Sequence, residues 1–146
     1  MLDTVVWATD GSLAADRALP YVKHLGSDNA TRVLVVHCVE LLVGGPRSPV
    51  PVHPDEERLG SKIERQVSDL AGEGLTASLT TVTAGAGGAA QAIAEVAERE
   101  HAGLIVVGTR GHTLVGDLTL GSVTQGLLHL GVCPVLAVPA GENGGG

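Results

Sequence analysis

The chain contains no phenylalanine, one tryptophan (Trp7) and one tyrosine (Tyr21) in 146 residues. Its core must be built from Val, Leu, Ile and Ala, and a base-stacking platform for single-stranded nucleic acid has no side chains to be made from. A basic stripe is also missing. Lys and Arg total 9 against 16 Asp and Glu, giving a net charge of −7, so nucleic acid is not an expected partner. A small anion held by backbone amides is compatible with that charge. No apolar run approaches the roughly 18 residues needed to cross a membrane. Asp3 and Asp10 interrupt the apolar start, and no basic segment precedes it. The expectation is a soluble, cytoplasmic protein without membrane contact. Cys38 and Cys133 are the only cysteines, in or beside apolar strand-like runs; two reduced thiols, at least one of them in the core, are expected in place of a disulfide or metal site. The six histidines include no His-x-x-x-His pair, and no Cys/His cluster has zinc-ligand spacing.

What is present is an ordinary globular composition, 44% hydrophobic and 17% charged, of a length that fits one domain. The spacing predicts a strand at Thr4–Ala8, ended by the turn and helix-cap signal Thr9-Asp10-Gly11-Ser12. A helix over 13–25 follows, which Pro20 should kink or cut short. Arg32–Val39 reads as a buried strand. Gly44–Pro54, rich in glycine and proline, reads as a long irregular loop. Asp55, Glu56 and Glu57 open a helix with Leu59, Ile63, Val67 and Leu70 at helical spacing. Leu75–Val82 alternates as a strand with Leu75, Ala77, Leu79 and Thr81 on one face; a helix over 89–100, a strand at Leu104–Val107, a helix over 122–130 and a strand at Pro134–Pro139 complete the pattern. Alternation of this kind indicates an α/β domain, a mostly parallel sheet covered by helices on both faces. Ligands of such sheets sit beyond the carboxyl ends of the strands, where the strand order reverses.

The loops at those ends include Thr9–Ser12, the stretch from Glu40 onward, and "GTRGHTLVGDLTLGSVTQG" from Gly108. In the last, Gly108, Gly111, Gly116 and Gly121 are followed by Ser122, Val123 and Thr124. Gly121-Ser122 would open the last helix with its first amides directed outward, a ready anion site, and Gly108 and Gly111 would let the backbone approach the same anion without a Cβ. The alternative is that the glycines serve turns and Ser122 is an N-cap. No Lys-Ser or Lys-Thr follows a glycine here and Gly-x-Gly-x-x-Gly is absent, so neither the Walker loop nor the dinucleotide fingerprint applies. "GAGG" at 85–88 reads as a loose turn before an Ala-rich helix. Ala8, Thr9, Asp10 and the backbone near Cys38 and Val39 could supply a base and ribose side, Asp10 as an acceptor or as an Asx turn. Arg110 and His112 flank Gly111 and read either as phosphate partners or as solvated loop residues; Glu40 reads as solvated.

Gly108-x-x-Gly111, nine residues, then Gly121-Ser122 resembles the nucleotide-binding signature of the universal stress protein family. "VVWATDGS", "LVVHCVE", "AGLIVVGTRG" and "GSVTQGLL…CPVLAVP" extend the resemblance over nearly the whole chain. It implies a domain over residues 1–139 with a flexible Gly-rich tail at 140–146. It also implies a single-domain open parallel five-stranded sheet of order 3-2-1-4-5, adenine nucleotide alpha hydrolase-like, usually in a homodimer. Members with the signature bind ATP. By carry-over, Thr9 and Asp10 lie against adenosine, the Cys38 backbone near adenine, and Val107 and Gly108 at the ribose. Gly111, Gly121, Ser122, Val123 and Thr124 hold phosphates bridged by Mg²⁺ or Mn²⁺, with Arg110 beside Gly111; Ala8, on the adenosine side with Thr9, stands where many members have proline or another apolar residue. Placed at a sheet edge, Pro134–Val138 would be covered by the same strand of a second copy. The function expected is a nucleotide-responsive stress or signalling module acting on a regulatory protein partner. The alternatives are a slow ATPase or phosphotransferase, and a dimeric scaffold that binds no nucleotide.

Overall fold

The computed structural model describes residues 2–28, 30–39, 41–42, 50–51, 56–109 and 121–139. Five parallel strands form the sheet: β1 (Thr4–Thr9), β2 (Arg32–Val39), β5 (Thr76–Thr83), β6 (Leu104–Gly108) and β7 (Val135–Val138). Their order is β5-β2-β1-β6-β7, which is 3-2-1-4-5 when these five are counted along the chain. The remaining two strands, β3 (Leu41–Leu42) and β4 (Val50–Pro51), form a small antiparallel ladder. Part of the expected irregular loop is thus paired at the backbone: Leu41 lies opposite Pro51 and Leu42 opposite Val50. The rest of Gly44–Pro54, and the tail 140–146, lie outside the described residues.

The strands are central because they are apolar on both faces, and alternation divides their side chains between two layers. Val6, Ala8, Leu34, Val36, Ile105 and Val107 pack with Ile93, Ala94, Val96, Ala97 and Leu127 of α4 (Gly88–Arg99) and α5 (Ser122–Leu130). On the other face, Val5, Trp7, Val33, Val35 and Val106 pack with Val22 of α2 (Leu19–Leu25) and with Ile63 and Leu70 of α3 (Glu56–Gly72). Trp7, the one large aromatic in the core, is fully buried there.

Pro20 does cut the first helix. The chain forms α1 (Leu13–Asp16), turns at Arg17 and Ala18, and resumes as α2 with Pro20 in its first turn, where a missing N–H breaks no helical bond. β5 keeps Leu75, Ala77 and Leu79 on the α3 side, but Thr81 is exposed and Val82 packs into the opposite layer. As the outermost strand, β5 loses helix cover toward its carboxyl end. Cys38 and Cys133 are not joined to each other by a disulfide, and neither is fully buried; both sit at the edge of the α4–α5 layer. Among the described residues no helix is long and apolar enough to cross a membrane.

Candidate functional site

The strand order reverses at β1, which pairs with β2 on one side and β6 on the other. Just beyond its carboxyl end the chain makes three successive side-chain-stabilised turns. Thr9 Oγ1 accepts the Gly11 N–H at 3.0 Å, Asp10 Oδ1 accepts the Ser12 N–H at 2.9 Å, and Ser12 Oγ accepts the Ala15 N–H at 3.2 Å as the N-cap of α1. The Asx-turn role of Asp10 is therefore real. It occupies one carboxylate oxygen, and an ionised carboxylate has acceptor sites on both.

Across the crevice stands the N-terminus of α5. The N-cap is Gly121, not Ser122; Ser122 is the first helical residue and is exposed. Gly121 has φ 51° and ψ 153°, a backbone conformation reserved almost wholly for glycine. It supplies no capping side chain, and the first intrahelical bond runs from the Gln125 N–H to the Gly121 carbonyl at 3.1 Å. The amides of Ser122, Val123 and Thr124 therefore have no helical acceptor, and the positive end of the dipole stands behind them. Thr124 is buried as a residue and lines the same crevice.

Gly108 has a packing reason for being glycine besides the one expected. A Cβ there would overlap the Ala14 carbonyl oxygen and lie 2.7 Å from its carbonyl carbon and 3.0 Å from the Ala15 Cα. The space a side chain would take is already filled by α1, so this glycine first of all lets helix and strand touch.

These elements enclose one cavity of about 110 Å³. Its wall contains Ala8, Thr9, Asp10, Cys38, Val107, Gly108, Gly121, Ser122, Val123 and Thr124, so the structure brings together ten of the twelve residues singled out in the sequence. Arg110 and Gly111, and with them His112 and Glu40, lie outside the described residues. Val39 does not line the cavity. Small-molecule sites usually occupy roughly 300–1,000 Å³, more than the described walls enclose.

Sequence reasoning missed five wall residues: Ser12, Ala14, Ala15, Ala89 and Ile93. Ser12 was visible only as a cap, and Ile93 only as core. The signal for Ala89 and Ile93 is topological. In a parallel sheet each crossover helix begins at the carboxyl end of its strand, so the first turns of α4 face the same crevice as β1 and β6. The wall is apolar along Ala8, Ala89, Ile93 and Val107 and polar along Asp10, Ser12, Ser122 and Thr124. That division suits a ligand with one flat apolar part and one anionic part.

Comparison with known proteins agrees with this architecture. A Thermus aquaticus universal stress protein is 36% identical over 146 residues, covering 94% of this chain and 99% of its own. The solved structure of an Archaeoglobus fulgidus universal stress protein in complex with dAMP superposes with a TM-score of 0.67 at 24% identity, covering 94% of this chain and 98% of that one. A universal stress protein in complex with cAMP has a TM-score of 0.67 at 23% identity, over 96% and 98% of the two chains. The model of the universal stress protein family matches residues 1–139. With the reversed strand order, the crevice at β1 and the glycine-capped α5, the chain belongs to the universal stress protein family.

Proposed function

We propose that this protein is an ATP-binding, nucleotide-responsive stress or signalling module, with the nucleotide held in the cavity between the Thr9–Ser12 turn and α5. The carrying observation is the glycine-capped N-terminus of α5, whose first three residues, Ser122, Val123 and Thr124, have amides without a helical acceptor and line one crevice. Two relatives of the same fold hold adenine monophosphates. Ser122, Val123 and Thr124 would take the phosphates, Asp10 a ribose or base donor, and the Ala8, Ala89, Ile93 and Val107 wall the base. Arg110 and Gly111 belong to the same reading through the signature. Among the described residues no three His, Cys, Asp or Glu side chains could hold a metal together. A Mg²⁺ or Mn²⁺ ion would therefore be carried by the phosphates and water, as Mg²⁺ commonly is, with Asp10, Ser122 or Thr124 as the oxygen donors at hand.

A helix N-terminus contributes about 0.3–1 kcal/mol to an anion, up to about 2 in a partly buried site. Micromolar affinity needs roughly 8 kcal/mol. The apolar wall must therefore supply a substantial share, and ligands lacking the base should bind weakly. Binding would order the site loops and change the surface offered to a regulatory protein partner. The free edge of β7 is the surface proposed for a homodimer in the cytoplasm, where pairing with a second copy would cover it.

The test is a calorimetric titration with ATP and Mg²⁺ beside a folded Gly121→Val variant. Micromolar binding by the wild type that the variant loses is expected. No heat, and no competition by ATP analogues, would leave a scaffold without nucleotide. Single-turnover phosphate release would reveal a slow ATPase, and sedimentation equilibrium at twice the chain mass supports the dimer.

A further inference from the structure

Helix α3 contributes no residue to the cavity wall, yet one of its faces grips the turn that does. The Leu59 side chain covers Gly11, so closely that a Cβ on that residue would lie 3.0 Å from Leu59 Cδ2. One turn on, Lys62 Nζ donates to the Gly11 carbonyl at 2.7 Å and to Asp16 Oδ2 at 2.7 Å. Another turn on, Gln66 Nε2 donates to Asp16 Oδ1 at 2.9 Å, while its own Oε1 is buried without a partner. Asp16 closes α1, whose Ala14 and Ala15 line the cavity, and Gly11 lies between Asp10 and Ser12, which also line it. Leu59, Lys62 and Gln66 recur at helical spacing and so share a side of α3.

From this contact set we infer that Lys62 is a positioning residue for the ligand site. One ammonium, bonded at once to the turn before α1 and to the last residue of α1, fixes the Asp10–Ser12 turn and therefore the direction in which the Asp10 carboxylate is presented. The pair is half-buried, with Lys62 35% and Asp16 26% exposed, so water competes for it less than for a fully exposed ion pair. A lysine suits the task because its three donors share one nitrogen, letting a backbone carbonyl and a carboxylate be bound together. The effect on affinity rests on the nucleotide reading above. The clamp itself does not.

The experiment compares Lys62→Met, which keeps the apolar stem and removes the ammonium, with Lys62→Arg and with Lys23→Met, which breaks the pair between Lys23 of α2 and Glu73, just past the end of α3, away from the site. Two readouts are needed. Amide hydrogen exchange at Ser12 and Ala15, the donors to Asp10 and Ser12, should accelerate in Lys62→Met while strand amides such as Val106 stay protected. Affinity for adenosine and for ATP with Mg²⁺ should fall together, by roughly two- to thirtyfold, with recovery in Lys62→Arg and no change in Lys23→Met. Adenosine is the decisive probe because it carries no phosphate: loss of ATP binding alone would make Lys62 a distant counter-charge and overturn the positioning role. Unchanged exchange overturns the clamp whether or not nucleotide binds. A wild type that binds neither ligand removes the nucleotide reading and the affinity role with it, and the exchange data still decide whether Lys62 orders the turn.

Discussion

Gly108→Ala separates two reasons for a glycine in the signature. The new Cβ would overlap the Ala14 carbonyl oxygen and stand 2.7 Å from the Ala14 carbonyl carbon, where non-bonded carbons prefer about 3.5–4.0 Å. The neighbour is main chain, so no rotamer change relieves the contact; α1 must move outward by about 1 Å. Overpacking of this kind costs about 1–3 kcal/mol. Against it, Gly108 is not among the positive-φ glycines, so alanine should otherwise stabilise by about 0.4–1 kcal/mol through the unfolded chain. The net expectation is a loss of roughly 1–2 kcal/mol, or roughly 2–8 °C in Tm for a domain of this size. Thermal unfolding followed by far-UV circular dichroism and by the fluorescence of the buried Trp7 measures it. ATP affinity should fall as well, because α1 carries Ala14 and Ala15 of the cavity wall. A variant as stable as wild type, or more so, refutes the packing account; if it also lost ATP, Gly108 would be serving ligand approach alone.

Three further outcomes follow from the same geometry. Thr124→Val keeps the branched shape of a buried residue and removes one hydroxyl from the cavity wall, so stability should change by less than about 1 kcal/mol. ATP binding should weaken by roughly 10- to 100-fold, as expected for one hydrogen bond to a charged group, while adenosine titrations stay unchanged. The Arg32 guanidinium, 2.8 Å from Glu100, holds that carboxyl below its ordinary pKa. Stability from this pair is therefore present above the ordinary glutamate value and lost as pH falls through the lowered one; Glu100→Gln should flatten the acid limb of a urea-midpoint profile, and an unchanged limb removes the pair from the acid response. Burial raises the Cys133 thiol, so alkylation of Cys133 at neutral pH should be slow and should quicken as pH rises; peptide mapping after iodoacetamide treatment reads this, and rapid labelling at pH 7 contradicts it.

Much of the fold was legible because the informative residues act locally. Continuous β-branched runs can only be strands buried on both faces, and five of them separated by helical stripes leave little besides a parallel sheet. Pro20 and Ser12 likewise act on their own neighbours, and both do in the structure what their chemistry requires. Thr81 shows the limit. Alternation assigns its face correctly, but burial depends on whether a helix covers that end of an outer strand, and the period of a strand carries no such information.

The cavity was legible at the ends of β1, β2 and β6 and at the N-terminus of α5, and silent along α1 and α4, for a related reason. Gly121 is legible because its backbone conformation excludes other residues, and an excluded residue type leaves a mark in the sequence. Ala14, Ala15 and Ala89 leave none, since alanine is the commonplace choice on any helix face. Gly108 left a mark that named only one of two causes: a Cβ there would meet a carbonyl of α1, far away in the chain, and glycine looks the same whether it makes room for a ligand or for a helix. Lys62 is the sharpest case. On the periodicity of α3 it falls beside the apolar stripe Leu59, Ile63, Val67 and Leu70, where solvent-facing lysines are ordinary. Only the tertiary approach of the Gly11 carbonyl and Asp16 turns it into a fixed point. Residues that contact a ligand through backbone freedom can be read from type and spacing; residues that hold the first group in place are defined by what they touch, and that appears only when the chain is folded.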